Sequence, residues 1–214
     1  MKAQDLFIYG TPTLSRSWDM DASELIIDTF YRLKDLGLRK GRMHGLSTKH
    51  GIDRARNDIL RVIREGLDSE GIEHGNVIRM LWYDVDVLPV NTDPDKLAEM
   101  IRTADENHWN LLGHYWQWDQ DKHTASSTFN KTFVGEDGEH YYNLWSPQEL
   151  AALKPYQELP DTVGGLGFYY GDMPLDWHFQ FHGEDGEDTR FFIESKLPLR
   201  WFPVNLLHLK AMPI

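Results

Sequence analysis

The chain has 214 residues, 41% apolar and 13% aromatic, enough to build one hydrophobic core in one domain of ordinary size. A formal charge of −12 argues against a surface that holds nucleic acid through bulk phosphate contacts, and against a polybasic membrane anchor. No apolar run is long enough to span a bilayer and no basic-then-apolar leader opens the chain, so the expectation is a cytoplasmic protein; with no cysteine, disulfides and thiolate metal sites are excluded.

Asp5 to Gly10 is predicted as a first strand, with Thr11-Pro12-Thr13 as the turn or loop after it. Asp21-Ala22-Ser23-Glu24 has the form of a capping box, Ile26, Phe30 and Leu33 recur at helical spacing, and Gly37 marks the helix end. Arg42 to Leu46 forms a second, weaker strand. In the next stretch Ala55, Ile59, Val62 and Ile63 make one helical face, and Gly66 is expected to stop the helix. Arg54, Arg56 and Asn57 cluster in or before its first turn, where positive charge opposes the helix dipole. An anion at that helix start resolves the conflict; the alternative is solvated arginines paired with Asp53 or Asp58.

Val77 to Trp82, broken only by Arg79, is predicted as a buried strand that ends in Asp84-Val85-Asp86. On an extended strand the two carboxylates share a face. Hard oxygen ligands converging in this way suit Mg²⁺ or Mn²⁺ carrying a phosphate; the alternative is a pair of solvated loop aspartates, or a helix cap and a surface charge. Asp93-Pro94 opens a further helix with Leu97, Met100, Ile101 and Ala104 as its buried stripe, and Trp109 to Tyr115 is a further strand. Strands alternating with helices give an α/β sheet of mostly parallel strands, in which ligands bind at the carboxyl ends. The segments after Gly10, after Leu46 and at Asp84/Asp86 all fall at that end.

Trp116 to about Pro160 is polar, aromatic and irregular, with a hairpin expected around Gly135 to Gly138 and a helix over Pro147 to Leu153. This insertion is a place for a second substrate, a structural hairpin or a subunit interface. Gly164 to Gly171 lacks the following helix of a phosphate-binding glycine loop and is expected to pack against another backbone. Gly186-Glu187-Asp188 precedes a short helix, where the acids either cap it or serve chemistry. Trp201 to Leu209 is predicted as a last strand carrying His208, a core residue or a ligand.

In this order, the Thr11-Pro12 loop, the Arg54-Ala55-Arg56-Asn57 helix start, Asp84-Val85-Asp86, Gly186-Glu187-Asp188 and His208-Leu209-Lys210 resemble the GT-A family of nucleotide-sugar glycosyltransferases, especially its small viral and microbial members. The resemblance covers nearly the whole chain except Trp116 to Pro160. It implies a single α/β domain with a mixed, mostly parallel sheet flanked by helices, residues 1–115 forming the donor half and 116–214 the acceptor half. It implies Mn²⁺ or Mg²⁺, a nucleoside-diphosphate sugar as donor and a hydroxyl-bearing acceptor (glycan, protein or small molecule), in the host cytoplasm if the protein is viral. By the same match Asp86 is the direct metal ligand, Asp84 reaches the ribose, the sugar or the metal and its water, and His208 is the second protein ligand. Thr11, Pro12, Thr13, Arg54, Arg56 and Asn57 face the nucleotide. Glu187 and Asp188 lie beside the acceptor; inverting and retaining members share the cation site, and if the enzyme inverts, Asp188 is the general base, with Glu184-Asp185 just upstream competing for that role and Phe191-Phe192 favouring Asp188. The rival functions are a nucleotidyltransferase or metal-dependent phosphohydrolase, and a non-catalytic carbohydrate-binding protein of the same fold.

Overall fold

The computed structural model describes residues 1–13, 20–49, 51–119, 124–136, 138–181 and 186–208. The first half alternates strands and helices: β1 (Leu6–Pro12), α1 (Met20–Asp35), β2 (Gly41–Ser47), α2 (Ile52–Ser69), β3 (Val77–Tyr83), β4 (Val87–Pro89), α3 (Pro94–Asn107) and β5 (Asn110–Gly113). Two hairpins follow, β6 (Trp116–Asp119) with β7 (Thr124–Ser127) and β8 (Asn130–Val134) with β9 (His140–Leu144). The chain closes with α4 (Pro147–Ala151), β10 (Thr162–Val163), β11 (Phe168–Pro174), α5 (Glu187–Ser195), β12 (Leu199–Phe202) and β13 (Leu206–His208).

Six strands form the main sheet in the order β12-β5-β11-β3-β1-β2. β1 runs parallel to β2 and β3, and β12 runs parallel to β5. β11 is antiparallel to both its neighbours, β3 and β5, so the sheet is mixed with one reversed strand near its middle. Alternation along the strands builds two cores. Leu6, Ile8, Met80 and Trp82 face one side, under Ile59, Ile63 and Leu67 of α2 and Phe191 and Phe192 of α5. Phe7, Tyr9, Leu81 and Tyr83 face the other, under Ile26, Phe30 and Leu33 of α1 and Leu97, Ile101 and Ala104 of α3. The chain is thus an α/β domain with helices on both faces of one sheet. No described helix is long and apolar enough to cross a membrane.

Several boundaries differ from the sequence expectation for identifiable reasons. Thr11-Pro12 is strand rather than loop: β1 pairs with β2 through Pro12, while its pairing with β3 is confined to Tyr9 and Gly10. Pro12 therefore lies beyond the β1–β3 pairing, where its missing N–H breaks no ladder on that side. Asp21 sits inside α1 rather than capping it, because the helix already begins at Met20. Gly66 does not stop α2. The helix runs on to Ser69 and ends at Gly71 (φ +64°), where Ile72 N–H reaches Leu67 O at 2.9 Å and Gly71 N–H reaches Asp68 O at 3.1 Å, a Schellman ending. The expected last strand is two strands. After Phe202 the chain turns at Pro203, and β13 leaves the main sheet to pair antiparallel with β4.

Two close approaches place the site. A Cβ on Gly45 would lie 2.7 Å from Ile59 Cγ2, and one on Gly10 would lie 2.9 Å from the same atom. These glycines are opposite each other on β1 and β2, so α2 presses directly onto the strands there. Its first turns are thereby brought against Trp82 near the carboxyl end of β3.

Two histidines are built into the fold in the neutral form. His44 stacks on Tyr9 with ring centroids 4.4 Å apart, and His114 lies edge-on to Phe129 at 5.1 Å. Burial lowers both pKa values from 6.5 to about 4, and Arg42 adds to the effect at His44. A depressed folded-state value means that the stability is complete above about pH 6.5 and is lost as pH falls toward 4, by up to roughly 2–3 kcal/mol for each histidine. A His44→Phe/His114→Phe variant should lose less stability than wild type between pH 7 and 4.5 in urea titrations. Equal losses would remove the histidines from the acid response.

Candidate active site

The site is assembled around Arg56, whose side chain is 2% exposed. The guanidinium lies over aromatic rings, its central carbon 5.8 Å from the ring centroids of both Trp82 and Phe179. Its N–H groups address the chain's own carboxylates. Nη1 donates to Glu187 Oε1 at the start of α5, Nη2 lies 3.2 Å from Asp84 Oδ2, and Asp188 Oδ2 is 3.7 Å from Nη1. Burial alone would lower the arginine's pKa, but Asp84, Asp188 and Glu187 together raise it, so it stays charged. The anion expected at the start of α2 is thus supplied by the protein itself, with Glu187 131 residues away in the chain.

The other members of that cluster part company. Arg54 is exposed on the first turn of α2. Asn57 Nδ2 donates to Phe179 O and Asn57 Oδ1 accepts from Phe179 N–H, each at 2.7 Å, so its amide clamps the backbone that carries one of the rings over Arg56. Both ends of the Asn57 amide are thus engaged with the Phe179 backbone. Asp58, the proposed local partner, pairs instead with Arg61 and Lys49.

Asp84 and Asp86 do not lie on an extended strand. Val87 N–H donates to Asp84 O at 3.0 Å, closing a turn, and Asp84 N–H donates to Gly167 O at 2.9 Å. The turn separates their roles. Asp84 faces Arg56, and its pKa is raised to about 6, first by burial and then by Asp86 and Asp188, against the opposing pull of Arg56. The Trp82 indole N–H, directed at this carboxylate, also lowers its pKa, although Oδ1 closes no full hydrogen bond among the described residues. Asp86 Oδ2 lies 3.8 Å from His208 Nε2. The β4–β13 ribbon explains that meeting, because it sets His208 opposite Val87, the residue after Asp86.

Glu187 and Asp188 also differ. Glu187 is 5% exposed and is bonded to Arg56, and burial raises its pKa. Asp188 is 22% exposed; its Oδ2 accepts from Leu166 N–H at 3.2 Å and its Oδ1 from Thr189 N–H at 2.8 Å. The more accessible of the two acids is therefore Asp188. Thr11 and Thr13 are buried at the carboxyl end of β1, and Thr11 Oγ1 has no hydrogen-bond partner among the described residues. Glu184, Asp185, Leu209 and Lys210 lie outside the described residues.

Sequence reasoning missed Tyr115 and the purpose of the glycines at 164–167. The Tyr115 ring stacks on His208 at 5.6 Å and 17°. Burial pushes its pKa well up, and Asp84 and Asp188 push it further, so the hydroxyl keeps its proton. A Cβ on Gly165 would sit 2.4 Å from Tyr115 Oη, and one on Gly167 would sit 2.5 Å from it. Gly165→Ala should cost about 1–3 kcal/mol by overpacking. Adding Tyr115→Phe, which removes the clashing oxygen, should recover part of that loss in a double-mutant cycle; strict additivity would show that the loop does not need glycine for this tyrosine.

No protein-family model matches the chain, and no curated protein matches it in sequence. Among the described residues no group of three or more histidine, aspartate or glutamate side chains converges closely enough to hold a metal ion. The expected trio of Asp84, Asp86 and His208 therefore resolves into a pair, Asp86 with His208, and a neighbour, Asp84, that is partly committed to Arg56. Mg²⁺ and Mn²⁺ sites commonly take one or two carboxylates and fill the remaining positions with water and substrate phosphate. Among the described residues Asp86 and His208 are the two side chains that could contribute to such a site, with Asp84 turned toward Arg56.

Proposed function

We propose that the protein is a metal-dependent glycosyltransferase of GT-A architecture, which moves a sugar from a nucleoside-diphosphate donor to a hydroxyl acceptor. The observation that carries this reading is a carboxylate cluster with an internal positive charge too small for it. Asp84, Asp86, Glu187 and Asp188 lie in one electrostatic neighbourhood, with Arg56 the buried counter-charge of Asp84, Glu187 and Asp188, and His208 the neighbour of Asp86. The mixed sheet flanked by helices is compatible with that architecture, and the cluster lies where ligands bind in such sheets, beyond the carboxyl end of a central parallel strand.

In this reading Asp86 and His208 would hold Mn²⁺ or Mg²⁺, with Asp84 beside them as a further carboxylate. A cation held there would supply positive charge to a departing nucleoside diphosphate. Thr11, Pro12 and Thr13 border the nucleotide at the end of β1, and exposed Arg54 can reach a phosphate. Arg56 holds Asp84, Glu187 and Asp188 in place. Asp188 accepts the proton of the acceptor hydroxyl as its oxygen attacks the sugar. Residues 116–214, which supply Asp188, form the acceptor half.

The test is product analysis by mass spectrometry after incubation with a panel of nucleotide sugars and Mn²⁺. The expected products are an intact nucleoside diphosphate and a sugar released to water or to an added acceptor. Nucleoside monophosphate with sugar 1-phosphate would instead establish a phosphohydrolase. Sugar binding indifferent to EDTA, without products, would establish a carbohydrate-binding protein.

A further inference from the structure

Tyr115 stands just beyond β5, where the main sheet meets the 116–160 insertion. Its backbone is fixed on both sides, N–H donating to Thr128 Oγ1 at 3.2 Å and O accepting from Thr128 Oγ1 at 2.9 Å and from Thr128 N–H at 3.1 Å. The ring lies nearly parallel to His208, whose Nε2 faces Asp86. The hydroxyl makes no hydrogen bond to the described residues, although the rest of the residue is tightly held. The Cβ position of Gly165 marks where that hydroxyl sits: it would meet Tyr115 Oη at 2.4 Å and Asp188 Oδ2 at 3.6 Å, so the phenol and the proposed base border the same small space. A hydroxyl with open hydrogen-bonding capacity, among carboxylates that can only accept when ionised, is suited to donate to a ligand oxygen.

We infer that Tyr115 has two separable roles: its ring is a positioning surface that fixes the His208 imidazole for the cation, and its hydroxyl donates a hydrogen bond to an oxygen of the bound nucleotide sugar beside Asp188. The inference rests on the proposed donor site. The ring role follows from stacking, which restricts rotation of the imidazole, as an outer partner does for many metal-ligating histidines. The hydroxyl role follows from its placement and from its having no hydrogen bond among the described residues.

The two roles separate in two substitutions. Tyr115→Phe keeps the planar face and loses only the hydroxyl. Tyr115→Leu loses the face, and Tyr115→Met replaces it should the leucine variant fail to fold. Mn²⁺ binding alone is read from the loss of the free-ion signal in electron paramagnetic resonance, and nucleotide-sugar binding is read by calorimetry in saturating Mn²⁺. Tyr115→Phe should bind Mn²⁺ within about twofold of wild type and bind the nucleotide sugar about tenfold more weakly, the effect of one lost hydrogen bond. Tyr115→Leu or Tyr115→Met should weaken Mn²⁺ binding itself by about tenfold or more. Unchanged Mn²⁺ binding in the leucine or methionine variant would overturn the positioning role, and unchanged nucleotide-sugar binding in the phenylalanine variant would overturn the donor role. Wild-type protein that binds no Mn²⁺ would overturn both, together with the proposed function beneath them.

Discussion

Replacing Arg56 with methionine should destabilise the protein by about 3–5 kcal/mol at pH 7.5, the range for removing one partner of a buried ion pair. The reason is not the loss of favourable contacts alone. Methionine fills much of the space beneath Trp82 and Phe179, but it leaves Asp84 and Glu187 buried without their counter-charge. Burial already raises the pKa of both acids with Arg56 present, Asp84 to about 6. Without the arginine the values should rise further. A raised folded-state pKa means that the folded protein binds more protons than the unfolded chain, so stability is greatest below the unfolded value and is lost as pH rises through the folded one. The deficit of the variant should therefore shrink between pH 7.5 and 5. Urea titrations of both proteins at the two pH values, in EDTA, measure this. A deficit below about 1 kcal/mol at pH 7.5, or one that grows on acidification, would show that Arg56 is not the counter-charge of the cluster.

Replacing Asp188 with asparagine should lower turnover by about 10²–10⁴-fold, the usual worth of a positioned general base, while donor binding stays within about twofold. Asparagine keeps the size of the side chain, and its carbonyl can still accept from Leu166 N–H, so the fold should survive. Glu187→Gln is the informative partner. Glu187 is nearly sealed and bonded to Arg56, so glutamine there should cost mainly stability. If Glu187→Gln abolished turnover and Asp188→Asn spared it, the two acids would exchange roles.

The architecture was legible where one local signal governs an element. Gly37 ends α1 in the left-handed conformation, with Leu38 N–H bonded to Leu33 O, and Asp93 caps α3 through Lys96 N–H, as their residue types suggest. The hairpin at Gly135 to Gly138 follows from its glycines. Less visible was anything set by tertiary contact. Gly66 resembles a helix stop, but it packs against Met43 while Gly71 does the stopping. Pro203 hints at a break, yet only pairing with β4 makes β13 a separate strand and carries His208 to Asp86. The arginine cluster announced an unusual helix start, but not that Arg56 alone would turn inward while Asn57 clamps Phe179. Tyr115 carried no distinguishing signal, since a tyrosine after an apolar strand is indistinguishable from a core residue until His208 is placed beside it.

The most direct test of a cation-bridged donor site is calorimetric titration of wild-type and Asp86→Ala protein with each common nucleoside diphosphate, in Mn²⁺ and again in EDTA. The site described here predicts that wild type binds one nucleotide in Mn²⁺, that EDTA abolishes this binding, and that Asp86→Ala loses it while remaining folded. Binding of equal strength in EDTA, undiminished binding in Asp86→Ala, or no binding of any nucleotide by folded wild-type protein would contradict the account.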